Sequence, residues 1–163
     1  MKKFELTNEF IANRFGTKLF RIRALVEFGD VEAGELGGYV EKESNLGHDD
    51  NAWVYDNAWV YGDAQVSGDA QVSGDALVCG NGDYAYAHGF GSVNRTTTFF
   101  RLKDGGVGVR CGCFYGTLAQ FRDKIRETHG ETKKAQEYLM LADLMELRFE
   151  EDENEVGNRK YVE

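Results

Sequence analysis

Alanine recurs at positions 52, 58, 64, 70 and 76, and valine at 54, 60, 66, 72 and 78, so the middle of the chain keeps a six-residue period without a slip. The units read AWVYDN, AWVYGD, AQVSGD, AQVSGD and ALVCGN, then the degenerate GDYAYA. On an extended strand residues two apart point the same way. Ala and Val therefore share one side, and Trp53, Tyr55 and their equivalents share the other. The last two positions of each unit, such as Gly62-Asp63 and Gly68-Asp69, accept turn geometry cheaply. Each unit is thus a short strand followed by a corner, and a five-residue solenoid period is excluded.

If three units close a triangular coil, each residue stacks on its equivalent three units later. Val54 then sits on Val72, Ala52 on Ala70, Trp53 on Gln71, Trp59 on Leu77 and Tyr61 on Cys79. The pattern resembles the hexapeptide-repeat left-handed β-helix, with an aliphatic residue inside and a small one four positions later, as at Val54 and Ala58. The expected fold is mainly β: a left-handed parallel β-helix of about three coils, an N-terminal β cap and a C-terminal α+β module. The expected divisions are 1–34 for the cap, 35–93 for the β-helix, 94–150 for the module and 151–163 for a charged tail.

The flanks carry other signals. KKFELTNEFI and TKLFRIRALVEF are β-like runs separated by Asn13 to Gly16, placed to cover the first coil. TTTFFRL and VGVRCGC surround Lys103-Asp104-Gly105-Gly106, and Asp-Gly predicts a hairpin from Thr96 to Cys113. Thr117 to Gln120 forms a capping box for a helix ending at His129, with Gly130 as its stop. A second helix is expected over roughly Lys133 to Glu150, where apolar residues repeat at Tyr138, Leu141, Ala142, Met145 and Phe149.

Charge narrows the partners. With 19 Lys and Arg against 28 Asp and Glu, the chain has a formal net charge of −9, which disfavours non-specific nucleic acid and anionic membrane surfaces. The start lacks the apolar core of a signal peptide, and three cysteines without disulfide spacing fit a reducing compartment. A cytoplasmic location in a bacterial host cell is expected. The 20 glycines and the absence of proline fit many tight turns in an unbroken hydrogen-bonded backbone.

ELGGYVEKESNL leading into NAWVYDNAWVYGDA, with TTTFFRLKDG, CGCFYGTLAQF and THG further on, resembles a family of hexapeptide-repeat proteins common in phage and prophage genomes. That resemblance implies phage origin and architecture, without an activity. The repeat alone also resembles acyltransferases and gamma-class carbonic anhydrases. His48, His88 and His129 have unrelated spacings, so neither a zinc site nor any other cofactor is expected. His48 and His88 are the candidate bases of an acyltransferase, and both fall at irregular ends of the repeat, where capping roles are commoner.

Two clusters are candidate binding surfaces. Trp53, Tyr55, Trp59 and Tyr61 point outward, too apolar to be left in water. The C-terminal module or a second subunit would cover them, or they form an aromatic platform for a flat ligand such as a nucleobase. If Asp104-Gly105 is the hairpin turn, Leu102 faces Val107 and Thr98 faces Cys111, which puts Cys111 and Cys113 on an apolar face as buried thiols. The opposite face then gathers Arg95, Thr97, Phe99, Arg101 and Arg110, a site for a small anionic ligand or an acidic protein segment. A solvated arginine face is the plainer alternative. On this reading Arg101 and Arg110 matter for binding and not for stability.

The reading that follows is a non-enzymatic, oligomeric binding protein, a dimer or trimer associating through the aromatic faces or the C-terminal helices. Its specific version is a phage counter-defence protein that sequesters a nucleotide-like signal or a host protein. The alternatives are a hexapeptide-repeat acyltransferase and a structural assembly module.

Overall fold

The computed structural model describes residues 2–92 and 95–150; the expected charged tail, 151–163, lies outside them. Strands β1 (Phe4–Ala12) and β2 (Lys18–Ala24) form an antiparallel hairpin. Its turn is held by the Asn13 side chain, whose Oδ1 accepts the Phe15 and Thr17 N–H groups. Then come β3 (Leu36–Val40), β4 (Trp53–Val54), β5 (Trp59–Val60), β6 (Gln71–Val72) and β7 (Leu77–Val78). Strands β8 (Tyr84–Phe90), β9 (Arg95–Arg101), β10 (Val107–Cys111) and β11 (Phe114–Thr117) precede helices α1 (Leu118–His129) and α2 (Lys133–Phe149).

The expectation of a left-handed parallel β-helix of about three coils is overturned. The chain is mainly β, but its strands are divided among a mixed five-stranded sheet ordered β1-β2-β3-β5-β7, an antiparallel four-stranded sheet ordered β11-β10-β9-β8, and the pair β4-β6. Parallel contact survives as short pairs: Trp53 with Gln71, Val54 with Val72, Trp59 with Leu77 and Val60 with Val78. Corners every six residues leave only two ladder residues per strand, too few to form an independent sheet. The long pairings, β1 with β2, β2 with β3 and β8 with β9, are antiparallel. Local turns supply those registers; a solenoid does not. Tyr84 to Phe90, expected to continue the repeat, forms β8 of the antiparallel sheet instead.

The alternation is nevertheless what fills the core. Ala52, Val54, Ala58, Val60, Ala64, Val66, Ala70, Val72, Ala76 and Val78 are all buried in one cluster with Phe4, Ile22 and Phe100. Trp53 joins them, fully buried, although its position in the unit is outward. The N-terminal segment folds over it, with Phe28 edge-on at 5.2 Å and Phe4 at 6.3 Å. Lys3 fastens that cover: its ammonium donates to the Ala52 carbonyl at 2.6 Å and to the Asp50 carbonyl at 3.0 Å, and lies 4.5 Å from the Phe28 ring centre.

The second sheet sits against the repeat on one face and carries the helices on the other. Tyr86 and Tyr115 lie over the corner glycines Gly68 and Gly74, whose φ values of 70° and 62° already favour glycine and where a Cβ would run into the tyrosine rings. On the far face Phe99, Val109, Phe121, Ile125, Tyr138 and Ala142 form a separate core. Thr117 caps α1 with a complete capping box and Gly130 ends it at φ 59°. Among the described residues no helix is long and apolar enough to cross a membrane.

The phase of the repeat makes a direct prediction. Val66 is wholly buried while Gln65 is exposed. Val66→Asp should cost several kcal/mol and lower the melting temperature by roughly 10 °C or more, whereas Gln65→Lys should leave it nearly unchanged. Thermal denaturation followed by circular dichroism separates the two outcomes.

Candidate functional site

The hairpin β9/β10 is where the sequence reading and the structure part. Phe99 pairs with Val109, Thr98 with Arg110 and Thr97 with Cys111, one residue away from the expected register. The Asp104-Gly105 turn does not close directly. Residues 102–103 are drawn onto the repeat, where Leu102 bridges Ala76 and the Lys103 N–H donates to the Asp75 carbonyl at 3.0 Å. A longer loop results, with Leu102 N–H donating to the Gly106 carbonyl at 2.8 Å. A one-residue slip moves side chains to the opposite face of their partner strand.

The expected arginine face is therefore split. Arg110 turns toward the repeat, its guanidinium 4.0 Å from the Tyr55 ring centre and donating to Ser73 Oγ at 3.1 Å. Arg101 is buried on the helix side, donating to Asp83 Oδ1 at 3.4 Å and to the Phe149 carbonyl at 3.2 Å. Phe99 is fully buried, edge-on to Phe121 at 6.0 Å, and the buried Thr97 hydroxyl donates to Cys111 Sγ at 3.2 Å. Arg101 and Arg110 thus have structural work, against the expectation that they serve binding alone. Arg95 remains exposed at the sheet's end.

The aromatic cluster is also dispersed. Trp53 is in the core, Tyr55 lies under Arg110, and Trp59 carries the Lys103 ammonium 4.4 Å from its ring centre. Tyr61 is buried with Leu19, Tyr39 and Leu77. Trp53 and Tyr61 are buried, whereas Tyr55 and Trp59 are half-buried, each with a cation from the second sheet or its loop over the ring.

His48 and His88, the candidate bases for which capping roles are the commoner expectation, both have partners. His48 stacks on Phe4 with ring centres 4.3 Å apart, its Nδ1 accepting the Lys3 N–H at 3.0 Å while Nε2 lies 3.3 Å from Glu43. His88 Nδ1 lies 2.7 Å from Thr96 Oγ1 on an exposed strand.

A pocket of about 390 Å³ opens where the second sheet ends against α1. The sheet contributes Arg95, Cys111, Cys113 and Phe114, α1 contributes Phe121, Lys124, Ile125, Thr128 and His129, and α2 contributes Tyr138. Arg95, Lys124 and His129 bring cationic or ionisable nitrogen to a mouth whose described lining residues include no carboxylate. The Lys124 ammonium reaches Glu127 at 3.9 Å on the exposed side, a contact weak enough to exchange for a ligand. Gly112, at φ 62°, makes the β10–β11 turn, and a Cβ there would run into the Arg95 guanidinium. The turn therefore needs glycine for its backbone, and the Arg95 guanidinium lies against it. Cys113 is exposed at this mouth and Cys111 is half-buried, so the two are not the pair of buried thiols expected.

Burial pushes the Tyr138 phenol up from 10.0 to about 12, with Cys111 adding to the push while Arg95 and Thr97 oppose it. The Cys111 thiol donates to its oxygen at 3.8 Å. Arg95 was legible as a basic residue; Lys124 and His129 were missed because on a solvated helix they read as ordinary charge. The available signal was Phe121, Lys124, Ile125 and Thr128, which share one edge of α1 at helical spacing.

Two measurements check this arrangement. Arg101→Met leaves Asp83, itself buried, without its arginine and should cost about 3–5 kcal/mol, part of which Asp83→Asn in the same chain should restore. For Tyr138 the folded pKa is raised, so its stabilising contribution is complete below pH 10.0 and is lost as pH rises toward about 12. Tyr138→Phe should remove that alkaline loss, read as a shallower fall in denaturation midpoint over the same pH range.

No family model matches the chain. Its sequence is similar to that of an "Uncharacterized acetyltransferase YdcK" of Escherichia coli (strain K12), 37% identical over an alignment 62 residues long that covers 34% of this chain and 19% of that protein. The chain therefore spans under a fifth of the length of this relative by matched residues.

Proposed function

We propose that the protein is a binding module that takes a small organic anion with a flat apolar body in the pocket between β9–β11 and α1. The observation that carries the reading is the pocket's lining. Arg95, Lys124 and His129 stand at its mouth without a carboxylate among the described lining residues, while Phe114, Phe121 and Ile125 supply apolar surface. In a chain of net charge −9 such a local excess of cations is unusual. Arg95 offers paired donors to a phosphate or carboxylate, and the half-buried Phe114 ring offers a surface for a planar group. A volume of about 390 Å³ lies within the range of small-molecule sites.

A nucleoside monophosphate has the required shape and charge. The narrower version of the proposal is that the protein is phage-encoded and sequesters a nucleotide-like signal in a counter-defence role. Isothermal titration with adenosine monophosphate, adenosine and inorganic phosphate is the test. Adenosine monophosphate should bind more tightly than either of the others. The double change Arg95→Gln and Lys124→Gln should weaken it at least ten-fold, about 1.4 kcal/mol or more, with little change in melting temperature. Equal binding of adenosine and its monophosphate, or unchanged binding by the double variant, would refute the proposal.

The similarity to a protein named as an acetyltransferase favours a second reading, acetyl transfer from a thioester donor. Release of free thiol from acetyl-coenzyme A in the presence of candidate amine or alcohol acceptors supports it. Release no faster than in buffer rejects it for those acceptors.

A further inference from the structure

We infer that Cys111 and Cys113 form a redox site at the mouth of the pocket, where a hydroperoxide oxidises Cys113 and Cys111 then closes an intramolecular disulfide across Gly112. Cys111 pairs with Phe114 between β10 and β11, which leaves Gly112 and Cys113 as a two-residue turn. Residues two apart have Cα atoms separated by at most about 7 Å, and a tight turn shortens that into the roughly 4.4–6.8 Å that a disulfide spans. Gly112, at φ 62°, puts no side chain between them. Both cysteines line the same pocket.

The two thiols differ in the way that such a pair needs. Cys113 is exposed, within reach of a small oxidant. Cys111 is half-buried and held in place, its Sγ accepting the Thr97 hydroxyl at 3.2 Å and its S–H donating to Tyr138 Oη at 3.8 Å. It is placed to resolve an oxidised neighbour rather than to meet the oxidant first. The Arg95 guanidinium lies against Gly112, where its N–H groups can stabilise the oxygen that leaves. Cys79 has no such setting: its thiol donates to Asp83 Oδ2 at 3.3 Å, and no second cysteine adjoins it in the chain.

In the first step the Cys113 sulfur attacks one peroxide oxygen and the O–O bond breaks. Cys113 becomes a sulfenic acid, and the thiol proton goes to the other oxygen, which departs as water or an alcohol. In the second step the Cys111 sulfur attacks the Cys113 sulfur, the S–O bond breaks, and the hydroxyl departs as water with the Cys111 proton. The two thiols give up two electrons and the hydroperoxide takes them. The closed form has no Cys111 S–H for Tyr138, so oxidation alters the inner wall of the pocket. Neither step requires an anion to be bound.

The full chain treated with hydrogen peroxide, alkylated and digested with trypsin tests the inference by mass spectrometry. Cleavage after Arg110 and Arg122 puts both cysteines on one peptide, 111–122, and leaves Cys79 on another. That peptide should appear unalkylated and about 2 Da lighter than its reduced form, and dithiothreitol should restore it, while Cys79 stays alkylated. Cys113→Ser should leave Cys111 open to alkylation after the same treatment. Cys111→Ser should let Cys113 run on to the sulfinic acid, about 32 Da heavier. Two alkylated thiols in the treated wild-type peptide, a sulfinic Cys113 beside a free Cys111, or a disulfide to Cys79 or to a second chain would overturn the assignment.

Discussion

The outer edge of the repeat is the constraint on which the remaining structure depends. Strands β6 and β7 are each two residues long and have no further repeat strand to pair with, so their backbone groups must be satisfied by something else. The second sheet and the turn and loop that flank its strands do this piecemeal. Thr98 Oγ1 accepts the Gln71 N–H at 3.0 Å, the Lys103 N–H donates to the Asp75 carbonyl, the Tyr115 hydroxyl accepts the Asp75 N–H at 3.1 Å, and Asp83 Oδ2 accepts the Cys79 N–H at 3.1 Å. Side chains and a loop replace a ladder. That substitution explains why the strands after the repeat are antiparallel to one another, and why their hairpin register yields to contacts with the repeat.

The same arrangement locates the candidate site. One face of the second sheet is used to hold the repeat, through Arg110, Tyr115 and the corner glycines, so only the other face is open to helices. Those helices cover Phe99 and Val109 but stop short of the sheet's end at the Gly112 turn. The pocket is the space left there, and its basic groups come from two elements far apart in sequence, Arg95 from β9 and Lys124 and His129 from α1. Buried Arg101 illustrates the contrast. Its guanidinium faces a buried carboxylate and a carbonyl, a structural arrangement, whereas Arg95 lies at a mouth open to solvent.

Much of the local structure was legible in the sequence, and the reasons differ from element to element. The inward phase of Ala and Val follows from strand alternation alone, which needs no knowledge of the partner strands. Both helices are announced by their own caps, Thr117 with Gln120 and Gly130 for α1, and by their apolar spacing. What was not legible depends on contacts distant in sequence. The β9/β10 register is decided by Leu102 and Lys103 reaching back to Ala76 and Asp75. Trp53 was read as outward and is wholly buried, because Phe4 and Phe28 arrive from the other end of the chain. The grouping of basic residues inherited the wrong register, which is why Arg95 alone among those arginines lines the pocket. The parallel solenoid failed as an architecture for a related reason: a correct period fixes neighbours three units apart, but not which sheets those neighbours join.

The claim that most needs measurement is the place where a small anion binds. Backbone amide chemical shifts recorded by NMR during titration with adenosine monophosphate report on every described element at once. The account predicts concentrated shifts at Arg95, Cys113, Lys124, His129 and Tyr138, with the repeat from Ala52 to Val78 largely silent. Shifts centred instead on Tyr55, Ser73 and Arg110, or no shifts at millimolar ligand, would contradict it.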